Sequence, residues 1–238
     1  MKLHRFIGEF DLKQQRILIT DLETVRQLKN VLRFAPGDSL SLCDGKNKEA
    51  LARVVDVKDR CIEVDVIERM TSINTARRAV SLYSALLKRE NFEWVGQKAT
   101  EVGVQEIIPL VTARTVKFSF KRTRVEQIVK EAAEQSGRGT VPLVHDPMKL
   151  EVAFEHARAS EAMYFFDTQK EGVRTISFLE TSLKQQSSVA LFIGPEGGWD
   201  VDEARMAEMK GAITTGLGGL TLRAETAALV AAYLAASL

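Results

Sequence analysis

No stretch of this sequence is long and apolar enough to span a membrane, which takes about 20 residues. The Ala-rich tail from Ala227 to Leu238 falls short of that, so no membrane partner is expected. The opening Met1-Lys2-Leu3-His4-Arg5-Phe6 lacks the apolar core of a secretory signal, and a cytoplasmic location is expected. Cysteine is scarce. Cys43 and Cys61 both lie early in the 238 residues without zinc-site spacing, and two buried thiols are expected rather than a disulfide. The three histidines, His4, His145 and His156, show no ligand spacing, so no metal is expected. Neither sign of charge dominates: 33 basic residues face 32 acidic ones, so any affinity for nucleic acid must come from a local patch. Gly-x-Gly-x-x-Gly is absent, and so is a Gly-Lys-Ser/Thr phosphate loop, which disfavours dinucleotide and triphosphate ligands. No internal repeat and no low-complexity segment interrupts the chain.

What remains has two textures. Residues 1–70 are β-rich, with short alternating segments at Arg16–Ile19, Ser39–Cys43, Ala50–Val55 and Cys61–Ile67. Pro36-Gly37-Asp38 and Asp44-Gly45 read as turns. One helical patch, Val25, Leu28, Val31 and Leu32, accompanies the strands. This pattern suits a small barrel of SH3-like, OB-like or related kind. Arg69–Arg78 carries no apolar pattern and reads as a linker. From Ala79 strands and helices alternate. Strand candidates are Val80–Leu86, Ile107–Val111, Ala162–Asp167 and Val189–Ile193, and Pro109 marks the second as an edge or strand end. Helical faces run from Phe92 to Val102, stopped by Gly103, and from Val125 to Ala133, stopped at Ser136-Gly137-Arg138. Asp200 caps the next helix, with Glu203 completing a capping box. This order implies an α/β domain over residues 71–238 with a mostly parallel sheet.

Two glycine-bearing loops carry the chemistry. Ile193-Gly194-Pro195-Glu196-Gly197-Gly198-Trp199 leaves an apolar strand and enters a helix. Thr215-Gly216-Leu217-Gly218-Gly219-Leu220-Thr221-Leu222-Arg223 leaves a second short β-like run and enters the last helix. Loops of this kind at the carboxyl edge of an open α/β sheet form a ligand site. With few charges and an apolar floor, the cradle suits a small molecule held largely by backbone groups. A basic run lies elsewhere. From Ala113 to Gly139, seven basic residues, Arg114, Lys117, Lys121, Arg122, Arg124, Lys130 and Arg138, face three acidic ones. Such a run can neutralise phosphates.

Gly194-Pro195-Glu196-Gly197-Gly198, Leu217-Gly218 and Leu222-Arg223-Ala224-Glu225-Thr226-Ala227 together resemble the C-terminal signature of the ribosomal small-subunit RNA methyltransferase E family, within the SPOUT methyltransferases. Gln97-Lys98-Ala99-Thr100-Glu101-Val102-Gly103, Glu131–Arg138, His4-Arg5-Phe6 and Asn30-Val31-Leu32-Arg33 resemble further family motifs. The resemblance implies a SPOUT-type α/β knot, a deep trefoil, preceded by a PUA-like RNA-binding β-barrel. It implies S-adenosylmethionine as cofactor and Phe166, Ile193, Gly194, Gly198, Leu217, Gly218, Leu222, Arg223, Thr226 and Ala227 as cofactor-binding positions. Arg138, Glu196, Arg223 and Glu225 are the candidate catalytic residues. Arg5, Arg33, Lys98, Arg114, Lys121, Arg122, Gln135 and Arg138 are candidate RNA contacts. The implied reaction is methylation of N3 of one decoding-region uridine (U1498) of 16S ribosomal RNA in the assembled small subunit, by a homodimer whose sites are each completed by the neighbouring subunit. The Ala-rich last helix is a candidate for that interface. Two alternatives stay open: a SPOUT enzyme methylating a tRNA or a ribose 2′-oxygen, and a non-enzymatic RNA-binding protein.

Overall fold

The computed structural model describes residues 3–71, 77–115, 120–167 and 176–238. Contacts divide the chain into two compact units, Met1–Thr75 with Ala133–Val141, and Ala76–Ala132 with Pro142–Leu238.

The N-terminal unit holds five strands: β1 (His4–Ile7), β2 (Arg16–Ile19), β3 (Ser39–Cys43), β4 (Lys48–Val57) and β5 (Ile62–Thr71). They form one mixed sheet in the order β1-β3-β4-β5-β2, with β1 parallel to β3 and the other pairs antiparallel. The expected barrel is thus a five-stranded sheet whose outer strands, β1 and β2, are not paired with each other among the described residues. Phe6, Ile17, Ile19, Leu40, Leu42, Ala52, Ile62 and Val64 fill its core. Helix α1 (Leu22–Arg26) starts at Asp21, whose carboxylate accepts the Thr24 N–H at 2.9 Å. It continues as a π-helical turn over Gln27–Val31. That wider turn carries Val31 off the buried face, so Val25 and Leu28 are buried while Val31 is 69% exposed, contrary to the sequence pattern. β5 also runs through Arg69–Thr71, which the sequence assigned to the linker.

The second unit contains β6 (Ala79–Ala85), α2 (Arg89–Val102), β7 (Glu106–Val111), α3 (Arg122–Ser136), β8 (Leu143–Val144), β9 (Met148–Lys149), α4 (Leu150–Ala157), β10 (Ala162–Phe166), α5 (Ile176–Leu183), β11 (Ser188–Ile193), α6 (Val201–Met209), β12 (Ile213–Thr215) and α7 (Ala224–Ser237). The last turn of α3 groups by contacts with the first unit. The strands form a parallel sheet in the order β12-β10-β11-β6-β7-β8, with β9 also pairing to β7. Near-continuous apolar strands demand cover on both faces. Tyr83, Ile108, Phe165 and Phe192 pack with Phe154 of α4 and Ala207 of α6. Residues of the other parity, Leu82, Ile107, Tyr164 and Leu191, are equally buried, and α7 packs on α2, β6 and β11. Ala228, Ala231, Ala232, Ala235 and Ala236 of α7 are buried within this chain, whereas Tyr233 on the same helix is 57% exposed.

Pro109 is not on an edge strand. Leu110 O accepts the Leu86 N–H at 2.9 Å on the β6 side, and Ile107 O accepts the His145 N–H at 3.0 Å on the other. Pro109 shares the orientation of Ile107, so its missing N–H faces the interruption between β8 and β9. Arg78, read as linker, is buried; its guanidinium donates to Gln186 O at 2.7 Å, to Ala235 O at 2.5 Å and to Leu183 O, closing carbonyl groups at the ends of α5 and α7.

Candidate active site

β10, β11 and β12 end in register, Phe166 beside both Ile193 and Thr215. At their carboxyl ends lies a cavity of about 320 Å³, within the ~300–1,000 Å³ range of small-molecule sites. Its walls are Phe166 and Asp167 after β10, Ile193–Glu196 with Gly198 and Trp199 after β11, and Gly216, Leu217 and Leu220–Ala224 after β12. Ala227, one turn into α7, completes it.

Trp199 sets the shape of the first loop. Its indole Nε1 donates to Phe166 O at 2.8 Å, and its ring stacks on Phe165 with centroids 4.3 Å apart. A Cβ on Gly194 would lie 2.9 Å from Trp199 Cε2, so only glycine fits there. The far end of the loop is fastened by Asp200 and Glu203. Asp200 accepts from the Asp202 N–H, and the Glu203 carboxylate accepts the Asp200 N–H at 2.8 Å as a capping box. Glu203, itself buried, also accepts the Ala113 N–H at 2.7 Å. Arg114 donates to Gly197 O at 2.7 Å and stands 3.7 Å from the Asp200 carboxylate. The segment after β7 therefore braces the loop after β11. In the second loop Gly218 takes φ +121°, which a side chain would resist. Helix α7 begins with no side-chain cap hydrogen bond among the described residues, and its first residue, Ala224, lies on the cavity wall, where the positive end of the helix dipole favours a negatively charged ligand group.

Residues 74–236 match the RNA methyltransferase domain family, and residues 19–67 match the RNA methyltransferase PUA domain. The ribosomal RNA small subunit methyltransferase E of Bacillus subtilis (strain 168) is 33% identical over 219 residues, covering 88% of this chain and 85% of that one. This chain belongs to the ribosomal RNA small subunit methyltransferase E family. Among solved structures, methyltransferase E from Neisseria gonorrhoeae, bound to S-adenosyl methionine, superposes with a TM-score of 0.89 at 28% identity, covering 97% of this chain and 95% of that one. A Legionella pneumophila methyltransferase with bound cofactor SAM gives 0.87 at 30% identity over 98% and 96% of the two chains. The parallel α/β fold with a preceding PUA-like domain is that of the family.

Phe166, Ile193, Gly194, Gly198, Leu217, Leu222, Arg223 and Ala227 line the cavity; Gly218 and Thr226 do not. Asp167, which ends the strand expected to supply the third loop, also lines it, as do Trp199, Thr221 and Ala224, which had no cofactor role assigned from sequence. Of the candidate catalytic groups, Glu196 and Arg223 stand exposed at the cavity wall. Glu225 lies in the first turn of α7 but outside the lining, with Oε2 buried and without a hydrogen-bond partner among the described residues. Arg138 is buried in the N-terminal unit, where its guanidinium donates to Thr140 Oγ1 at 3.3 Å. Burial pulls it down to about 10, so it still carries its charge at neutral pH.

The RNA candidates divide. Arg5 is held by partners of its own unit. Its guanidinium donates to Gly137 O at 2.5 Å, to Arg138 O at 3.0 Å, and to both Glu49 oxygens at 2.8 Å, so both terminal nitrogens are engaged inside the unit. Arg33 is exposed with φ +56°. Lys98 pairs with Glu101 at 2.8 Å, and Arg122 with Glu126 at 2.8 Å and Asp146 at 3.1 Å. Lys121 and Gln135 are exposed, and Lys117 lies outside the described residues. Cys61 is half-buried rather than buried, and both thiols are free. Trp94 is 38% exposed, whereas Trp199 packs.

Proposed function

We propose that this protein transfers a methyl group from S-adenosylmethionine to N3 of a uridine, U1498, in 16S ribosomal RNA of the assembled small subunit, acting as a homodimer with the knotted chain path of its family. The observation that carries the reading is the cavity at the ends of β10–β12 in a chain of the methyltransferase E family. Its residues fit the cofactor. Apolar floor is supplied by Phe166, Ile193, Leu217 and Leu222, and Gly194 admits close backbone approach. The start of α7 offers N–H groups to a carboxylate. Bound there, the cofactor supplies a sulfonium-activated methyl group that is electrophilic without a metal.

The chain's own work is positioning and proton management. Holding the base against the cavity mouth converts a bimolecular encounter into an oriented one. Uridine N3 must lose its proton, and Glu196, exposed on the wall, accepts it. Arg223, on the facing loop, stabilises the negative charge that develops on the uracil carbonyl oxygens. The exposed cations Arg33 and Lys121, with Arg114 and Arg122 in surface pairs open to exchange, supply phosphate contacts.

The test offers the purified protein small subunits that lack the modification, together with methyl-labelled S-adenosylmethionine, and separates the digested nucleosides by mass. Label in 3-methyluridine, from intact subunits and scarcely from naked RNA, is the expected outcome. Label on another base, on a ribose or on tRNA reassigns the substrate. Cofactor-free RNA binding without any transfer overturns the enzymatic reading.

A further inference from the structure

Away from the cavity, at the other edge of the parallel sheet, four side chains converge where the partner of β7 is split into β8 and β9. Tyr83 comes from β6, Glu106 opens β7, His145 follows β8, and His156 sits in the last turn of α4. One donor atom from each of Glu106, His145 and His156 falls in a group spanning no more than 4.8 Å. The two imidazole rings lie 5.0 Å apart at 72°. His145 Nε2 is 3.3 Å from Glu106 Oε2, yet the orientation makes no hydrogen bond, and this nitrogen is buried without a partner. A buried imidazole nitrogen beside a carboxylate, unbonded, is an arrangement that a cation resolves.

His156 is prepared in the way metal-bound histidines are. Its Nδ1 is 2.6 Å from Tyr83 Oη. With Nδ1 engaged by that oxygen, Nε2 is the ring nitrogen left for a ligand, the orientation control that outer-shell partners exert on ligating histidines. Two imidazoles and one carboxylate suit a divalent ion of borderline softness, with water completing the shell. In a tetrahedral site with nitrogen ligands at about 2.0–2.1 Å, neighbouring donors stand roughly 3.3 Å apart. The observed group needs to contract by no more than about 1.5 Å, and the exposed position of His156 leaves an entry path.

We propose that Glu106, His145 and His156 form a divalent transition-metal site of the zinc class, with Tyr83 as the positioning residue for His156. Such an ion would tie the broken sheet edge to the end of α4. The three ligands lie 39 and 11 positions apart, on three different elements, a spacing that no local motif spans.

The test uses the metal-stripped full-length protein, titrated with zinc(II) by calorimetry and with cobalt(II) by visible absorption. One ion per chain is expected, with the intense ligand-field bands of a low-coordinate cobalt centre and a raised unfolding midpoint in zinc. His156→Ala, at an exposed position, is expected to weaken binding at least 30-fold, as are His145→Gln and Glu106→Gln. Tyr83→Phe weakens it about 10-fold while the cobalt spectrum keeps its form. His4→Ala, in the other unit, leaves binding unchanged. Absence of stoichiometric binding by the folded wild type, or binding that survives His156→Ala and His145→Gln, overturns the proposal.

Discussion

Arg5 anchors one end of the N-terminal unit. Its two-oxygen grip on Glu49, whose side chain is only 8% exposed, is reinforced by Ser41 Oγ donating to the same carboxylate at 2.5 Å. Removing one partner of such a pair leaves a buried charge alone, which costs about 3–5 kcal/mol. Arg5→Ala is therefore expected to lower unfolding stability by that order in urea melts. A normal melt with weakened RNA binding would return Arg5 to the RNA surface. Cys43 behaves as a small buried apolar group. Burial, with Glu49 adding to it, pushes the thiol up to about 11 from 9.0. At pH 8 a thiol reagent should label Cys61 and spare Cys43 until the chain unfolds. Between about pH 9 and 11 the unfolded chain releases this proton while the folded chain keeps it. Stability then falls as pH rises through that window, and Cys43→Ala should flatten the slope.

At the level of elements, the site depends on how one loop is braced by another. Arg114 and Glu203 hold the turn after β11 to the segment after β7. Arg114 is an exposed side chain, so its pair with Asp200 adds little to global stability. Arg114→Ala is expected to leave the unfolding midpoint within about 1 kcal/mol of wild type and to weaken S-adenosylmethionine binding several-fold by loosening Gly197. Unchanged cofactor affinity would show the brace to be idle. The elements also show what was legible beforehand. β2 and β3 follow alternation so closely that their limits match the reading, and the Asp200–Glu203 box was visible as a spacing. β8 and β9, two residues each, are too short for any period to register. Pro109 misled because proline reports a missing donor, and the gap that excuses it is made by residues more than 30 positions later. The π-helical turn hid Val31's exposure in the same way, since the helical period assumes 3.6 residues per turn. Both glycine loops were plain, whereas the roles of Arg5, Arg78 and the His145–His156 pair required knowledge of distant partners.

For the molecule as a whole, a nearly neutral chain places its ligand chemistry at three strand ends of one unit and leaves the RNA question to local cations. The central claim is that the cavity bounded by β10, β11, β12 and α7 is the S-adenosylmethionine site. Ala227 lies on its wall within a helix, where leucine fills space without opposing the helix itself. The decisive measurement is calorimetric titration of wild type and Ala227→Leu with S-adenosylmethionine, each checked by its unfolding curve. One site per chain in the wild type, weakened at least 30-fold in the variant with folding intact, is the predicted result. A folded variant that binds as tightly as wild type, or a folded wild type that does not bind, would contradict the account.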